Sequence, residues 1–246
     1  MSHFFINSGQ VAGELLTIIG DDVNHMKNVL RMRSGEAFTA ADENGEFYHC
    51  EIEELEKEQV TAKILWKEQG TTELSSKIYL FQGLPKSDKM ELIIQKAVEL
   101  GAYKIIPVAT KRAIVKLDAK KEASKLKRWQ AIAEGAAKQS GRMLIPHISE
   151  VKTYGEALQM ARALDVNIIP YECARGMDGT REIFGNIKPG MSIGIFIGPE
   201  GGFEESEVEK AKEQGIHPVT LGRRILRTET AGLTTLSILM YLLEEA

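Results

Sequence analysis

Five short apolar runs alternate with helical segments after residue 77, and this alternation constrains the fold more than any other feature. The runs are KIYLFQGL, YKIIPVA, VNIIPYE, SIGIFIG and PVTLG. Continuous apolar runs of this length are typical of parallel strands that are covered on both faces. Helices are predicted near residues 88–100, 122–140, 154–165, 204–214 and 231–244. This order predicts an α/β domain with a mostly parallel sheet.

The segment from Asp88 to Leu100 gives the clearest helix signal. Its apolar residues recur at the spacing of one helical face: Met90, Ile93, Ile94, Ala97 and Val98. Asp88 is placed to cap the first turn, with Glu91 completing a capping box, and Gly101 is placed to end the helix.

The first 70 residues follow a different pattern, with short β segments around one helix. A helical stretch is predicted over residues 21–33, and Asn44-Gly45 favours a tight hairpin turn between two strands. The polar stretch from Lys67 to Lys77 has no core signal and marks the expected boundary. We therefore predict two domains, residues 1–70 and residues 73–246.

The net charge of −4 conceals an uneven distribution. Residues 1–72 contain 6 Lys and Arg against 13 Asp and Glu, whereas residues 73–246 have a net charge of +3. Ten basic and three acidic residues lie between Lys111 and Arg142. This basic stretch fits either a polyanion-binding surface or the solvated face of an ordinary helix.

Membrane and secreted proteins are disfavoured by the sequence. No apolar run approaches the roughly 20 residues that a membrane-spanning helix needs. The stretch MSHFFINSGQ lacks the basic and apolar regions of a secretory signal. Cys50 and Cys173 lie far apart and are interpreted as reduced thiols. We expect a cytoplasmic protein with no membrane partner.

Several common catalytic motifs are missing. The sequence contains no GxGxxG, no GxxxxGK[ST], no HExxH and no GxSxG. The five histidines are scattered without the spacing of metal ligands, so no metal site is predicted.

Two loops contain the strongest functional signals. Ile197 to Phe203 (IGPEGGF) directly follows an apolar strand, at the position where α/β folds bind ligands; the alternative is a structural turn. Leu221 to Ala231 (LGRRILRTETA) contains three arginines, whose planar fork suits phosphate, although they fit surface charges as well. Thr230 is the predicted cap of the last helix.

A third segment, EGAAKQSGR, ends a predicted helix. Gln139, Ser140 and Arg142 lie at that end, where polar side chains can contact a base or a phosphate, or cap the helix.

Taken together, these segments make the chain resemble a known family. IGPEGGF followed by LGRRILRTETA resembles the cofactor signature of the SPOUT class of RNA methyltransferases. Within that class, PKSDKMELIIQKAVELG, TKRAIVK and AAKQSGR are similar to the ribosomal small-subunit RNA uridine-N3 methyltransferases, the RsmE family. The resemblance covers essentially the whole chain.

The resemblance implies a fold and an activity. It implies a PUA-like, RNA-binding β-barrel in residues 1–70 and a SPOUT methyltransferase domain with a trefoil knot in residues 73–246. It also implies a homodimer with each active site near the subunit interface. S-adenosylmethionine is the implied cofactor, and 3-methyluridine in small-subunit (16S) ribosomal RNA is the implied product.

The resemblance also assigns residue roles. The implied cofactor-binding residues are Tyr171, Ile197, Gly198, Pro199, Gly201, Gly202, Leu221, Gly222, Ile225 and Leu226. The implied RNA contacts are Arg31, Arg33, Lys86, Lys111, Arg112, Arg142 and Arg224.

The catalytic assignment leaves two carboxylates open. Glu200 and Glu229 are the candidate bases for the N3 proton, with Arg142 and Arg227 as stabilisers of the uridine anion. The alternative role for Glu229 is to anchor an arginine.

Two other functions remain open at this point. One is a SPOUT methyltransferase acting on a different RNA, such as a ribose 2′-oxygen of transfer RNA. The other is a non-enzymatic RNA-binding factor in ribosome assembly.

Overall fold

A computed structural model describes residues 2–70, 72–115, 117–172, 174 and 176–244. The chain forms two compact units. Unit 1 comprises Met1–Glu73 and Ala137–Ile145, and unit 2 comprises Leu74–Ala136 and Pro146–Ala246. Because the chain returns to unit 1 over nine residues inside the predicted second domain, the boundaries 1–70 and 73–246 describe the units only approximately.

Unit 1 is built on a sheet of short strands in the order β1-β4-β5-β6-β3-β2. β1 is parallel to β4, and the other pairs are antiparallel. The strands are β1 (Ser2–Phe5), β2 (Val11–Ala12), β3 (Leu15–Ile19), β4 (Ala37–Ala41), β5 (Glu46–Leu55) and β6 (Gln59–Gln69). A short 3-10 turn at Ser8–Gln10 precedes β2.

The predicted hairpin at Asn44-Gly45 is confirmed, because β4 and β5 pair across it and Gly45 has a φ of +82°. The helix predicted over residues 21–33 is shorter than expected. Helix α1 (Asp21–Asn24) continues as a π-helical turn over His25–Val29, and Arg31 adopts a φ of +56°, which a helix cannot continue through. The sequence analysis did not identify β2 and β3.

The core of unit 1 is apolar. It is formed chiefly by Phe4, Leu16, Ile18, Met26, Phe38 and Ile52. Cys50 is buried among these residues, and burial raises the pKa of its thiol to about 12, so the thiol is unreactive at neutral pH. Cys173 lies outside the described residues.

Unit 2 contains the predicted parallel sheet. The strand order is β10-β8-β7-β12-β11-β13, all neighbours are parallel, and β9 pairs with β8. The strands are β7 (Lys77–Gly83), β8 (Ala102–Ala109), β9 (His147–Ile148), β10 (Lys152–Thr153), β11 (Val166–Pro170), β12 (Ser192–Ile197) and β13 (His217–Val219). Each of the five apolar runs forms one strand, which confirms the predicted α/β class with its mostly parallel sheet.

The helices that connect these strands agree with the prediction except for one. They are α2 (Lys89–Glu99), α3 (Ala119–Ser140), α4 (Tyr154–Ala161), α5 (Met177–Asn186), α6 (Glu205–Glu213) and α7 (Thr228–Leu243). Helix α5 was not predicted. Its sequence, MDGTREIFGN, contains two glycines and buries only Thr180 and Phe184, so its local signal is weak.

Two predicted helix caps are wrong. The Asp88 side chain makes no capping bond, and Glu91 accepts a hydrogen bond from Arg128 Nη2 at 2.7 Å instead of closing a capping box. Helix α7 begins at Thr228, three residues before the predicted start, so Thr230 lies inside the helix and does not cap it.

The parallel sheet of unit 2 has a buried aromatic core, and several of its strands end at one edge. Phe81 on β7 and Phe196 on β12 are fully buried and stack with their ring centres 4.3 Å apart. Because neighbouring strands are parallel, the carboxyl ends of β7, β11, β12 and β13 meet at one edge. Among the described residues, no helix is long and apolar enough to cross a membrane.

Candidate functional site

A cavity of about 500 Å³ lies at the carboxyl ends of β11, β12 and β13. It is lined by the loop after β12, by the loop between β13 and α7, and by the residues after β11. All ten predicted cofactor-binding residues line it: Tyr171, Ile197, Gly198, Pro199, Gly201, Gly202, Leu221, Gly222, Ile225 and Leu226. The structure thus brings these residues together, and their role in binding stays a prediction.

The loop after β12 is a tight turn that needs glycine at two positions. The amide of Gly202 donates a hydrogen bond to the carbonyl of Pro199 at 2.9 Å, and Gly202 has a φ of +67°. A Cβ on Gly198 would lie 2.9 Å from the carbonyl carbon of Gly202. Side chains at these positions would therefore strain or open the turn.

Two further contacts hold this loop in place. Arg112 Nη1 donates a hydrogen bond to the Gly201 carbonyl at 2.8 Å. A Cβ on Gly83, at the end of β7, would lie 2.7 Å from Pro199 Cδ. The backbone of Gly83 therefore packs directly against the proline ring of the loop. Arg112 was predicted as an RNA contact; the structure also places it as a support of the loop.

The start of α7 is joined to the same loop by a buried polar chain. Thr228 Oγ1 donates to the Gly198 carbonyl at 2.6 Å, and Gln82 Nε2 donates to Thr228 Oγ1 at 2.9 Å. Gln82 and Thr228 are both buried. Gln82 was not predicted from the sequence, although a single amide inside the apolar run KIYLFQGL was an available signal.

A cluster of three charged side chains lies beside the cavity. Lys89 Nζ lies 3.1 Å from Glu200 Oε1 and 3.4 Å from Glu229 Oε2. Lys89 and Glu200 line the cavity, whereas Glu229 is not among its lining residues. Among the described residues, the ion-pair partner of Glu229 is Lys89, whereas the sequence suggested an arginine. Lys89 itself was not identified from the sequence.

The electrostatics of this cluster favour the charged forms. Partial burial acts to raise the pKa of Glu200, but hydrogen bonds from its own backbone N–H, from Lys89 and from the Lys86 amide outweigh it, so the pKa is lowered. The pKa of Lys89 is raised, mainly by its hydrogen bond to Glu200 and against the effect of desolvation. The ammonium and the Glu200 carboxylate are therefore both charged at neutral pH.

The predicted arginine stabilisers have different surroundings. Arg227 lines the cavity, is exposed and directly precedes α7. Arg142 belongs to unit 1, where it is 4% exposed and its guanidinium is hydrogen-bonded through Nε and Nη2 to the two carboxylate oxygens of Glu73. This placement gives no support to Arg142 as a stabiliser or an RNA contact, because its charge is buried and already matched by Glu73.

The other predicted RNA contacts are exposed side chains. They are Arg31, Arg33, Lys86, Lys111, Arg112 and Arg224. Lys111 Nζ also contacts Glu204 and Ser206, each at 3.0 Å. Within the described parts of the chain, no group of three His, Cys, Asp or Glu side chains could hold a metal ion.

Comparison with known proteins decides the family. A model of the RNA methyltransferase domain matches residues 72–240, and a model of the RNA methyltransferase PUA domain matches residues 18–65. Ribosomal RNA small subunit methyltransferase E of Bacillus subtilis is 39% identical over 228 residues, which cover 92% of this chain and 89% of the relative. The chain belongs to the RsmE family.

Solved structures agree with membership of the RsmE family. Ribosomal RNA small subunit methyltransferase E from Neisseria gonorrhoeae, bound to S-adenosylmethionine, is 35% identical, covers 98% of both chains and has a TM-score of 0.84. A methyltransferase from Legionella pneumophila, also in complex with S-adenosylmethionine, is 31% identical, covers 97% of this chain and 96% of its own, and has a TM-score of 0.85. The predicted family and the predicted RNA methyltransferase class are confirmed.

Proposed function

We propose that this RsmE-family enzyme transfers a methyl group from S-adenosylmethionine to N3 of a uridine in small-subunit ribosomal RNA. The observation that carries the proposal is the cavity formed by the two loops, with a paired carboxylate and ammonium on its wall. The small-subunit RNA substrate follows from relatives that carry this name, such as the B. subtilis enzyme.

The cavity fits S-adenosylmethionine. Gly202 and Gly222 line it, and a Cβ on either residue would meet no atom within 4 Å, so their backbone is open to a ligand. Ile197, Leu221 and Leu226 supply apolar lining suited to an adenine ring, with loop backbone groups for its polar edge. When bound, the cofactor supplies a methyl group on a positively charged sulfur.

The residues of the chain would perform three tasks in this reaction. The loops would hold the methyl donor in line with the attacking nitrogen, because transfer to a ring atom depends on alignment. A carboxylate would take the N3 proton, since the neutral imide nitrogen has no free lone pair for attack. Glu200 is the better placed of the two candidate bases, because it lines the cavity and Glu229 does not. Arg227 would stabilise the anion that forms.

We further propose that the molecule is a cytoplasmic homodimer whose methyltransferase domain contains a trefoil knot. Helix α7 presents an open apolar face with Leu233, Ile238, Tyr241 and Leu242, and Tyr241 is 81% exposed. An apolar face of this kind on one helix supports a second subunit as its partner. Analytical ultracentrifugation should give twice the 27.3 kDa chain mass. A monomer at micromolar concentration would contradict the proposed homodimer.

Replacing Gly83 should weaken cofactor binding. In Gly83→Ala the new methyl group would collide with Pro199, so the loop after β12 must shift. We expect S-adenosylmethionine to bind about tenfold more weakly, about 1.4 kcal/mol, by isothermal titration calorimetry. The matched control is Gly185→Ala at the end of α5, where a Cβ meets no atom within 4 Å and no change in affinity is expected. Equal affinities in both variants would refute this account of the loop.

The substrate is tested by methyl transfer from tritiated S-adenosylmethionine to small ribosomal subunits, free small-subunit RNA and bulk transfer RNA. We expect label in the ribosomal substrates alone, and the amount of label will identify which of them is preferred. Label in transfer RNA would instead favour a methyltransferase with a different substrate. No label and no saturable binding of the cofactor would favour a non-enzymatic assembly factor.

Basic side chains would hold the RNA, with Arg224 on the cavity wall and the others outside it. The exposed candidates are Arg31, Arg33, Lys86, Lys111, Arg112 and Arg224. Contacts of this kind release counterions from phosphates, so RNA affinity should fall steeply as salt is raised.

A further inference from the structure

The positive charge of Lys89 lies at the start of a helix, where it is unfavourable without neighbouring carboxylates. It is the first residue of α2, where the helix dipole disfavours a positive charge. Two carboxylates, Glu200 and Glu229, lie within 3.4 Å of its ammonium and offset this cost. Its side chain is 29% exposed and lines the cavity, so the charge is available to a ligand.

The loop before α2 is shaped around the same carboxylate. The Lys86 amide donates to both Glu200 oxygens, at 3.1 and 3.3 Å, and Ser87 adopts a φ of +56°. Non-glycine residues in this left-handed region are uncommon and gather at functional sites. The segment from Lys86 to Lys89 therefore fixes the position of Glu200 from two sides.

The contacts leave hydrogen-bonding capacity on both cavity-lining groups. An ammonium has three N–H donors, and Lys89 forms ion pairs with two carboxylates, so at least one donor remains for a ligand. A carboxylate has about four lone-pair sites, and Glu200 meets three N–H groups, those of the Lys86 amide, the Lys89 ammonium and its own backbone, which leaves one site for a ligand. The cavity wall thus offers a donor and an acceptor side by side.

This pattern complements the edge of uracil that contains N3. Uracil presents an N3–H donor beside carbonyl acceptors at C2 and C4, whereas cytosine presents an acceptor at N3 beside an amino donor. We propose that the Lys89 ammonium, held in place by Glu229, donates to a uracil carbonyl oxygen while Glu200 accepts from N3–H. Where the methyl donor fixes the position of N3, Glu200 would face a lone pair on cytosine and an N–H on uracil, so the pair would favour uracil. This inference rests on the function proposed above.

The same pair would carry the charge changes of the reaction. The N3–H bond breaks and its proton goes to Glu200, which leaves a negative charge spread over N3 and the two carbonyl oxygens. The N3 electron pair forms the bond to the methyl carbon as the sulfur–methyl bond breaks, and sulfur becomes a neutral thioether. Lys89 stabilises the anion at the carbonyl oxygen, and Glu200 releases its proton to solvent after transfer.

The test compares Lys89→Met, Lys89→Arg and the control Lys96→Met, which removes a partly exposed lysine paired with Glu99 on the same helix. For Lys89→Met we expect kcat to fall about 10²-fold, with the RNA KM and the affinity for S-adenosylmethionine changed less than about threefold. The lost rate should partly return as the pH approaches the pKa of uridine N3–H, because the anion then forms without the ammonium. Lys89→Arg should keep more activity than Lys89→Met, and Lys96→Met should equal wild type.

Three results would overturn the inference. They are an unchanged kcat in Lys89→Met, a loss of cofactor affinity as large as the loss of rate, and a reduced rate with no recovery at alkaline pH. The product of the wild-type enzyme is analysed in parallel. If wild type makes 3-methyluridine, these results bear on Lys89 alone; if it labels another nucleoside, the proposed function fails and the inference fails with it.

Discussion

The Glu200→Gln variant should lose about 10²–10⁴-fold in turnover while it keeps its affinity for S-adenosylmethionine. The amide oxygen of glutamine can still accept the hydrogen bond from the Lys86 amide, so the loop should keep its position. A neutral amide cannot take the N3 proton, so the chemical step should slow. Single-turnover methyl transfer, together with calorimetric titration of the cofactor, separates these two effects.

Two companion variants make this prediction specific. Glu209→Gln on α6 removes an exposed carboxylate that pairs with Lys212, and we expect wild-type turnover. Glu229→Gln should cost less than Glu200→Gln, because Glu229 acts behind Lys89 and does not line the cavity. A larger loss in Glu229→Gln would reverse the assignment of the base.

The acid side of the pH profile follows from the same contacts. Hydrogen bonds from its backbone, Lys89 and Lys86 lower the pKa of Glu200 despite partial burial, so the carboxylate stays ionised below the ordinary glutamate value of 4.5. The base form is therefore retained as the pH falls from about 7 to about 5, and kcat/KM should not fall through protonation of Glu200 in this range. A fall in wild type that disappears in Glu200→Gln would contradict this view.

The second large effect concerns stability. Removing the carboxylate in Glu73→Ala takes two hydrogen bonds from the buried Arg142 guanidinium and removes the acceptor of the Met143 amide. Breaking a buried pair from one side is strongly destabilising, and we expect a loss of about 3 kcal/mol because Glu73 remains partly exposed. Urea unfolding followed by far-ultraviolet circular dichroism measures this loss.

The control for this experiment is Glu58→Ala. Glu58 is 86% exposed, and its only ion pair among the described residues, to Lys57, is 3.9 Å long. We expect a change within about 0.5 kcal/mol. If Glu73→Ala proves as mild as Glu58→Ala, the guanidinium of Arg142 is not held by Glu73, and a role in binding RNA becomes open again.

The sequence predicted the parallel sheet and the two glycine-rich loops for clear physical reasons. Continuous apolar runs have few alternatives to buried strands, and SIGIF and VNIIP became β12 and β11 with little change. Glycine in a short turn after a strand indicates a local backbone requirement, so Gly198 and Gly202 marked this loop as a candidate site. The family resemblance then assigned them to cofactor binding.

Charged partners could not be predicted in the same way. Lys89 is distant in sequence from both Glu200 and Glu229, and a lysine at the start of a helix has no local feature that distinguishes it from a solvated one. Arg142 was assigned to catalysis because nothing in the segment AAKQSGR shows that Glu73 neutralises it. The start of α7 was placed late because Thr228 is fixed by Gly198 and Gln82, which are remote in sequence.

The central claim is that the enzyme makes 3-methyluridine, and nucleoside analysis of its RNA product tests it most directly. Small-subunit RNA lacking the modification is incubated with the enzyme and S-adenosylmethionine, digested to nucleosides and examined by liquid chromatography with mass spectrometry against authentic standards. The account predicts one new methylated nucleoside, which co-elutes with 3-methyluridine. A methylated cytidine or a 2′-O-methylated nucleoside in its place would contradict the assignment of the substrate atom and the roles given to Glu200 and Lys89.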